Sequence, residues 1–171
     1  DLNSGTGSIY QFIMTGIQNA ARDAGLQIEL ALLGEDEDIA GSIPDGPETG
    51  LLFAGVDPTP GLLENLNKSK HPAALVNGLD PTMTHDQVAP NNYQGGWLAA
   101  QYLIRMGHRR ILHLGTRRRL TLAARSDGFL AAIEQADIAG LSCDFMEMGN
   151  LTEHKAETAI KQKLAQEDFP Y

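Results

Sequence analysis

One cysteine, Cys143, stands in 171 residues, so no internal disulfide can staple this chain. A reduced, cytosolic setting fits that usage, although a single cysteine is also compatible with a periplasmic home. No apolar run reaches the ~18 residues that a membrane-spanning helix needs, and no signal peptide is visible. Basic charge is scarce: 13 Lys and Arg face 22 Asp and Glu, a formal net charge of −9. Such an acidic segment does not hold nucleic acid by its own field.

Several chemical signatures are missing too. There is no Walker P-loop. Gly5-Thr6-Gly7 is followed by Ser8, Ile9 and Tyr10, with no third glycine and no preceding strand, so the dinucleotide fingerprint fails its context. Ser126-Asp127 lacks the G-x-S-x-G setting of a hydrolase elbow. His108 and His113 have no carboxylate or cysteine at metal-ligand spacing, which argues against zinc. Nothing nominates an enzyme, and no cofactor or metal is expected.

What is present is a globular pattern. Hydrophobic residues make up 42% of the chain, enough for a core, and the length allows one domain or two small lobes. Ile9, Phe12, Ile13, Gly16, Ile17, Ala20 and Ala21 recur at helical spacing and Gly25 stops them, predicting a first helix with that face inward. Residues 26–33 alternate apolar with polar and then turn wholly apolar, predicting a strand. An acidic stretch at 35–38 and a proline- and glycine-containing loop at 41–49 follow. Strands are predicted at 51–54 and 73–76, a helix at 60–70 with Leu62, Leu63 and Leu66 inward, and a brief extended segment at 87–89. Further on, helices are predicted at 120–136 and 151–166 and a strand at 141–148. Strands alternating with helices predict an α/β fold with parallel sheets and helices on both faces.

The organising stretch is 91–114, NNYQGGWLAAQYLIRMGHRRILHL. Gly95 and Gly96 open a helical pattern in which Leu98, Ala99, Tyr102, Leu103 and Met106 form the expected buried stripe. Gly107 ends it, His108, Arg109 and Arg110 suit the negative end of the helix dipole, and 111–114 is a short apolar strand.

This stretch, with Arg125-Ser126-Asp127-Gly128-Phe129 and Ala132, and with Gly16-Ile17 through Ala20, Ala21 and Gly25, resembles the effector-binding domain of the LacI/GalR family of bacterial transcription regulators. The three pieces stand in the family's order at fitting distances. The resemblance implies a two-lobed, periplasmic-binding-protein-like type I fold, with residues 1–90 as the N-terminal lobe and 91–171 as an incomplete C-terminal lobe. The family's helix-turn-helix, most of its opening strand and about the last third of its domain are expected to lie outside this chain, which begins at Asp1 without a methionine.

Ligands of open α/β sheets bind beyond the carboxyl ends of the strands. There the resemblance implies six ligand-binding residues. Arg125 stands at the family's ligand-clamping arginine. Arg119 and Thr121 match positions that contact ligand in its purine-responsive member. Tyr10 falls on an aromatic position that can stack on the ligand, and is equally readable as a half-buried core aromatic. Asn77 and Asn91 replace carboxylates common in the family, which leaves a less acidic cleft and suits a neutral or anionic effector. Asn77 reads equally well as a turn residue. Arg117 and Arg118 read as a solvated basic loop.

The partners implied are a small-molecule effector (a sugar, a nucleoside or purine, or a related metabolite), a second copy in a homodimer, and operator DNA only through the absent N-terminal domain, in the cytoplasm. A periplasmic sugar-binding protein of a transporter is the alternative, and a purely structural dimerisation domain is another.

Overall fold

The computed structural model describes residues 7–32, 49–69, 71–149 and 152–165. The expected acidic stretch at 35–38, and the 41–49 loop apart from Thr49, lie outside them. The chain divides into two compact units, Asp1–Val88 and Ala89–Tyr171.

The first unit begins with α1, Gly7–Asp23. Gly25, at φ +69°, ends it, and Leu26 N donates to Ala21 O at 2.8 Å, as expected of a glycine stop. The expected inward face is partly wrong. Tyr10, Ile13, Met14 and Ile17 are half-buried, whereas Phe12 is 77% exposed and Ile9 is exposed.

The strand predicted at 26–33 is not formed over its described part, 26–32, which is exposed throughout. Alternation alone does not make a strand. Its backbone groups need a neighbouring edge, and none of the described strands pairs with this stretch.

The sheet of this unit has the order β1-β2-β3, with β1 at Leu51–Ala54, β2 at Ala73–Val76 and β3 at Asp86–Val88, all parallel. Between β1 and β2 runs α2, Pro60–Ser69. Thr59 caps it, accepting from Leu62 N through Oγ1 at 3.2 Å. Leu62, Leu63 and Leu66 are buried as their spacing predicts, and Leu62 and Leu66 join Phe53 and Leu75 in the core of this unit.

The second unit pairs two parallel strands, β4 at Arg110–Gly115 and β5 at Ser142–Glu147, in the register Ile111↔Cys143. On one face lie α3, Asn92–Arg105, and α4, Leu120–Gln135. Ala100, Ile111, Phe129 and Ala132 form the core there, with Trp97, Leu103 and Cys143 packed against it. Burial, then the nearby charge of Asp144, push the Cys143 thiol above its ordinary value. The last helix, α5 at Glu153–Ala165, is tied to the sheet by Lys163 Nζ to Asp144 Oδ2 at 3.4 Å. Lys163, Leu112, Asp144 and Met146 line a cavity of about 330 Å³ there.

The stripe expected on α3 is rotated. Asn92, Gly96, Ala100 and Ile104 are buried, while Leu98, Tyr102 and Met106 are more than half exposed. The inward face is chosen by how closely α4 approaches, and that approach admits only small residues. Cβ atoms at Gly96 and at Gly128 would overlap the carbonyl oxygens of Arg125 and Tyr93, respectively. The helix also begins earlier than its glycines suggest, because Asn91 caps it: Oδ1 accepts from Gln94 N at 3.0 Å. Gly107, at φ +93°, ends it as expected.

Candidate functional site

In the first unit, the loops leaving β1 and β2 meet. Gly55, at φ +73°, carries no side chain where the Tyr10 ring lies against it; a Cβ there would overlap that ring. Asn77 takes the left-handed conformation at φ +53°, as a turn asparagine can, and its Nδ2 donates to the Tyr10 hydroxyl at 3.4 Å. Its backbone N–H donates to Val88 O at 2.8 Å. Asp57 Oδ1 accepts from Leu79 N at 3.1 Å and holds the two loops together. Tyr10 and Asn77 are therefore neighbours beyond the carboxyl ends of the strands.

Just beyond lies a group that the sequence reading passed over. The Asp80 carboxylate is fully buried. It accepts from Thr82 N and Oγ1 (2.8 and 2.6 Å), from Thr84 N and Oγ1 (3.1 and 3.0 Å) and from His85 N, at 3.1 Å. His85 Nδ1 completes the set at 3.0 Å. Burial alone would raise its pKa, but the bonds from Thr82, His85 and Thr84 outweigh burial and hold it far below the ordinary carboxylate range. Asp80 N donates to Gln87 Oε1 at 2.7 Å, so the knot also grips β3.

In the second unit, Arg119 is the N-cap of α4, with extended backbone, and its carbonyl accepts from Leu122 N and Ala123 N. Thr121 is 2% exposed. Arg125 is exposed and directs both Nε (3.2 Å) and Nη2 (2.6 Å) at Asn92 Oδ1. Asn92 was missed in favour of its neighbour Asn91, whose side chain serves as the cap of α3. The two adjacent amides look alike in sequence, and only helix register separates a cap from a residue facing α4.

Arg117, read as solvated, makes a half-exposed ion pair with Asp127 at 2.6 Å, and its guanidinium lies 5.7 Å from the centre of the Phe145 ring. Arg117 N donates to Glu147 Oε1 at 2.9 Å, which fixes the loop leaving β4. Beneath it, His113 stacks on Phe129 (centroids 4.4 Å apart) and on Phe145 (5.3 Å), with Nε2 3.2 Å from Ser126 Oγ. Of the six expected ligand residues, Tyr10 and Asn77 thus come together in one unit. Arg119, Thr121 and Arg125 share the start of α4 in the other, and Asn91 adjoins Arg125's partner.

The two units, each with a parallel sheet flanked by helices and with candidate polar groups at its strand ends, define an α/β class of fold. The chain belongs to the family of periplasmic binding proteins and sugar binding domain of the LacI family, whose family model matches residues 2–170. Among curated relatives, it is 33% identical over 124 residues to the HTH-type transcriptional repressor PurR of Edwardsiella ictaluri, an alignment taking in 71% of this chain and 36% of that relative. It therefore spans about a third of that relative's length.

Among solved structures, it is similar to the transcription regulator CcpA of Lactococcus lactis, with a TM-score of 0.74 at 19% identity over 93% of this chain and 60% of that one. It is also similar to GanP, a glucose-galactose binding protein from Geobacillus stearothermophilus, with a TM-score of 0.70 at 20% identity over 90% of this chain and 59% of that one. The fold is the periplasmic-binding-protein-like type I fold, which regulators and sugar-binding proteins share.

Proposed function

We propose that this chain is the effector-sensing and dimerisation domain of a LacI-type bacterial transcription regulator acting in the cytoplasm. A small molecule binds this domain and controls DNA binding by a head outside this chain. The fold alone serves regulators and transport proteins alike, so it does not choose between them. The similarity to a transcriptional repressor at 33% identity favours the regulator. The domain performs no catalysis: its contribution is a binding free energy that differs between two arrangements of the protein.

The observation that carries the binding reading is Arg125, an exposed guanidinium held at the start of α4, beyond the end of β4. Arg119 stands at the start of the same helix, on which Thr121 is buried; in the first unit Tyr10 and Asn77 are the candidate ring and amide, and Asn91 caps α3 next to Asn92. The effector is a sugar, a purine or nucleoside, or a related metabolite. Amides at Asn77 and Asn91 suit a neutral or anionic one.

Calorimetric titration of the protein with hypoxanthine, adenosine, D-ribose and D-glucose tests this. At least one should bind. Arg125→Ala should weaken that binding by about tenfold to a hundredfold, the worth of hydrogen bonds to a charged group. Arg125→Lys should restore little, because the planar fork is lost. Unchanged affinity in Arg125→Ala together with a large fall in melting temperature would make Arg125 a purely structural residue and defeat the assignment.

A further inference from the structure

Arg125 does not approach its site with all of its donors open. Nε and Nη2, the two donors of one edge of the guanidinium, converge on a single atom, Asn92 Oδ1. Asn92 is 6% exposed, and its Nδ2 donates to the Pro90 carbonyl at 3.0 Å, so its amide is used at both ends. Pro90 lies two residues past Val88, where the first unit ends. The helices that carry the pair are locked by the close approaches at Gly96 and Gly128, which leave α3 and α4 no room to slide.

We propose that Asn92 is a positioning residue: it fixes the guanidinium of Arg125 by its Nε–Nη2 edge and thereby presents the Nη1–Nη2 edge to an effector that offers two coplanar acceptor atoms, of which a carboxylate is the simplest. This rests on the reading of Arg125 as an effector-binding group. An amide suits the task better than a carboxylate would. It accepts both hydrogen bonds but leaves the positive charge of Arg125 unneutralised, and therefore available to the effector.

The link to Pro90 extends the consequence. An effector that pulls on Arg125 acts, through Asn92, on the segment that joins the two units. The recognition group and the connecting peptide are two hydrogen bonds apart.

The test reads the Arg125 Nε–H by NMR in the protein, assigned by its disappearance in Arg125→Lys. In the wild type this proton should exchange slowly with water. Asn92→Leu, close in size but without an acceptor, should speed exchange by at least about tenfold, as expected on losing a charge-assisted hydrogen bond. Asn92→Asp should keep it slow. If Asn92→Leu fails to fold by its melting curve, Asn92→Ala takes its place.

Benzoate, as a plain carboxylate probe, should shift the Nη resonances of Arg125 more than its Nε resonance, and should do so less in Asn92→Asp, where the charge is already matched. Exchange unchanged in Asn92→Leu, or benzoate acting mainly at Nε, would overturn the proposal. Its failure is separable from that of the functional reading. If Arg125→Ala binds the panel compounds like the wild type while the exchange results hold, the effector assignment falls and the positioning stands. The reverse pattern removes the positioning alone.

Discussion

Gly96 on α3 lies directly against the backbone of Arg125 on α4, so that a Cβ at position 96 would overlap the Arg125 carbonyl oxygen. The reciprocal contact, Gly128 against the Tyr93 carbonyl, makes the crossing two-sided. Glycine within a helix costs stability, and two glycines at one helix crossing are accounted for only by such an approach. The consequence reaches the site. With the helices this close, Asn92, one turn before Gly96, comes within hydrogen-bonding distance of the Arg125 side chain.

Alanine substitution separates packing from propensity. At Gly95, where an added Cβ meets nothing within 4 Å, Gly95→Ala should stabilise the second unit by up to about 1 kcal/mol. Gly96→Ala, one residue along, should destabilise it by roughly 1–3 kcal/mol, because the overlap with backbone cannot be relieved by a rotamer change. The single tryptophan, Trp97, packs against this core and reports urea unfolding by its fluorescence. Equal effects at the two positions would show that the close approach is absent.

The Asp80 knot predicts a different failure. Asp80→Asn keeps one acceptor oxygen but turns an NH₂ group either towards the Thr82 donors, which meet Oδ1, or towards the Thr84 and His85 donors, which meet Oδ2, so one side of the knot loses its acceptor. The loss should be on the order of 3 kcal/mol in the first unit, the scale set by hydrogen bonds to a buried charge. Thr82→Val and Thr84→Val, each removing one hydroxyl donor but leaving the carboxylate bonded, should cost about 1 kcal/mol apiece. Because the folded-state pKa is depressed, this stabilisation is complete above the ordinary carboxylate pKa and is lost as pH falls below it. Amide hydrogen exchange at Thr82, Thr84 and His85 measures both effects, and wild-type rates at all three in Asp80→Asn would refute them.

Much of the fold was legible because its signals were local. Leu62, Leu63 and Leu66 announced α2, the apolar runs at 51–54 and 73–76 announced β1 and β2, and Gly25 and Gly107 marked helix ends. Where the reading failed, the deciding information was not local. Size nominated Leu98, Tyr102 and Met106 as the buried face of α3, but the neighbouring helix selected Gly96 and Ala100. Residues 26–32 had a strand's alternation without a partner edge. For the candidate site, the motif nominated Arg125. It did not nominate Asn92, since nothing in the Asn91-Asn92 pair says which amide faces α4. The buried clusters around Asp80 and His113 were likewise invisible until their partners were placed beside them.

His113 should make the second unit weaken in mild acid. Its ring is half-buried between Phe129 and Phe145, facing Ser126 from α4 and the Arg117 guanidinium from the loop after β4, while Asp127 and Glu147 are both engaged with Arg117. Burial first, and then the charge of Arg117, push the imidazole below its ordinary value of 6.5. The folded state therefore refuses a proton that the unfolded chain accepts. The contribution of His113 is complete above about pH 6.5 and declines as pH falls from there through the lower folded-state pKa. Urea midpoints read from Trp97 fluorescence at about pH 7.5 and about pH 5.5 bracket this range. The wild-type midpoint should drop between them by more than that of His113→Gln, which keeps a polar group near Ser126 but does not titrate. Since His71, His85, His108 and His154 are common to both proteins, the comparison isolates position 113. Parallel decline in the two proteins would show that His113 charges as readily in the folded state as in the unfolded one, and the stacked, Arg117-facing environment would then have no hold over its protonation.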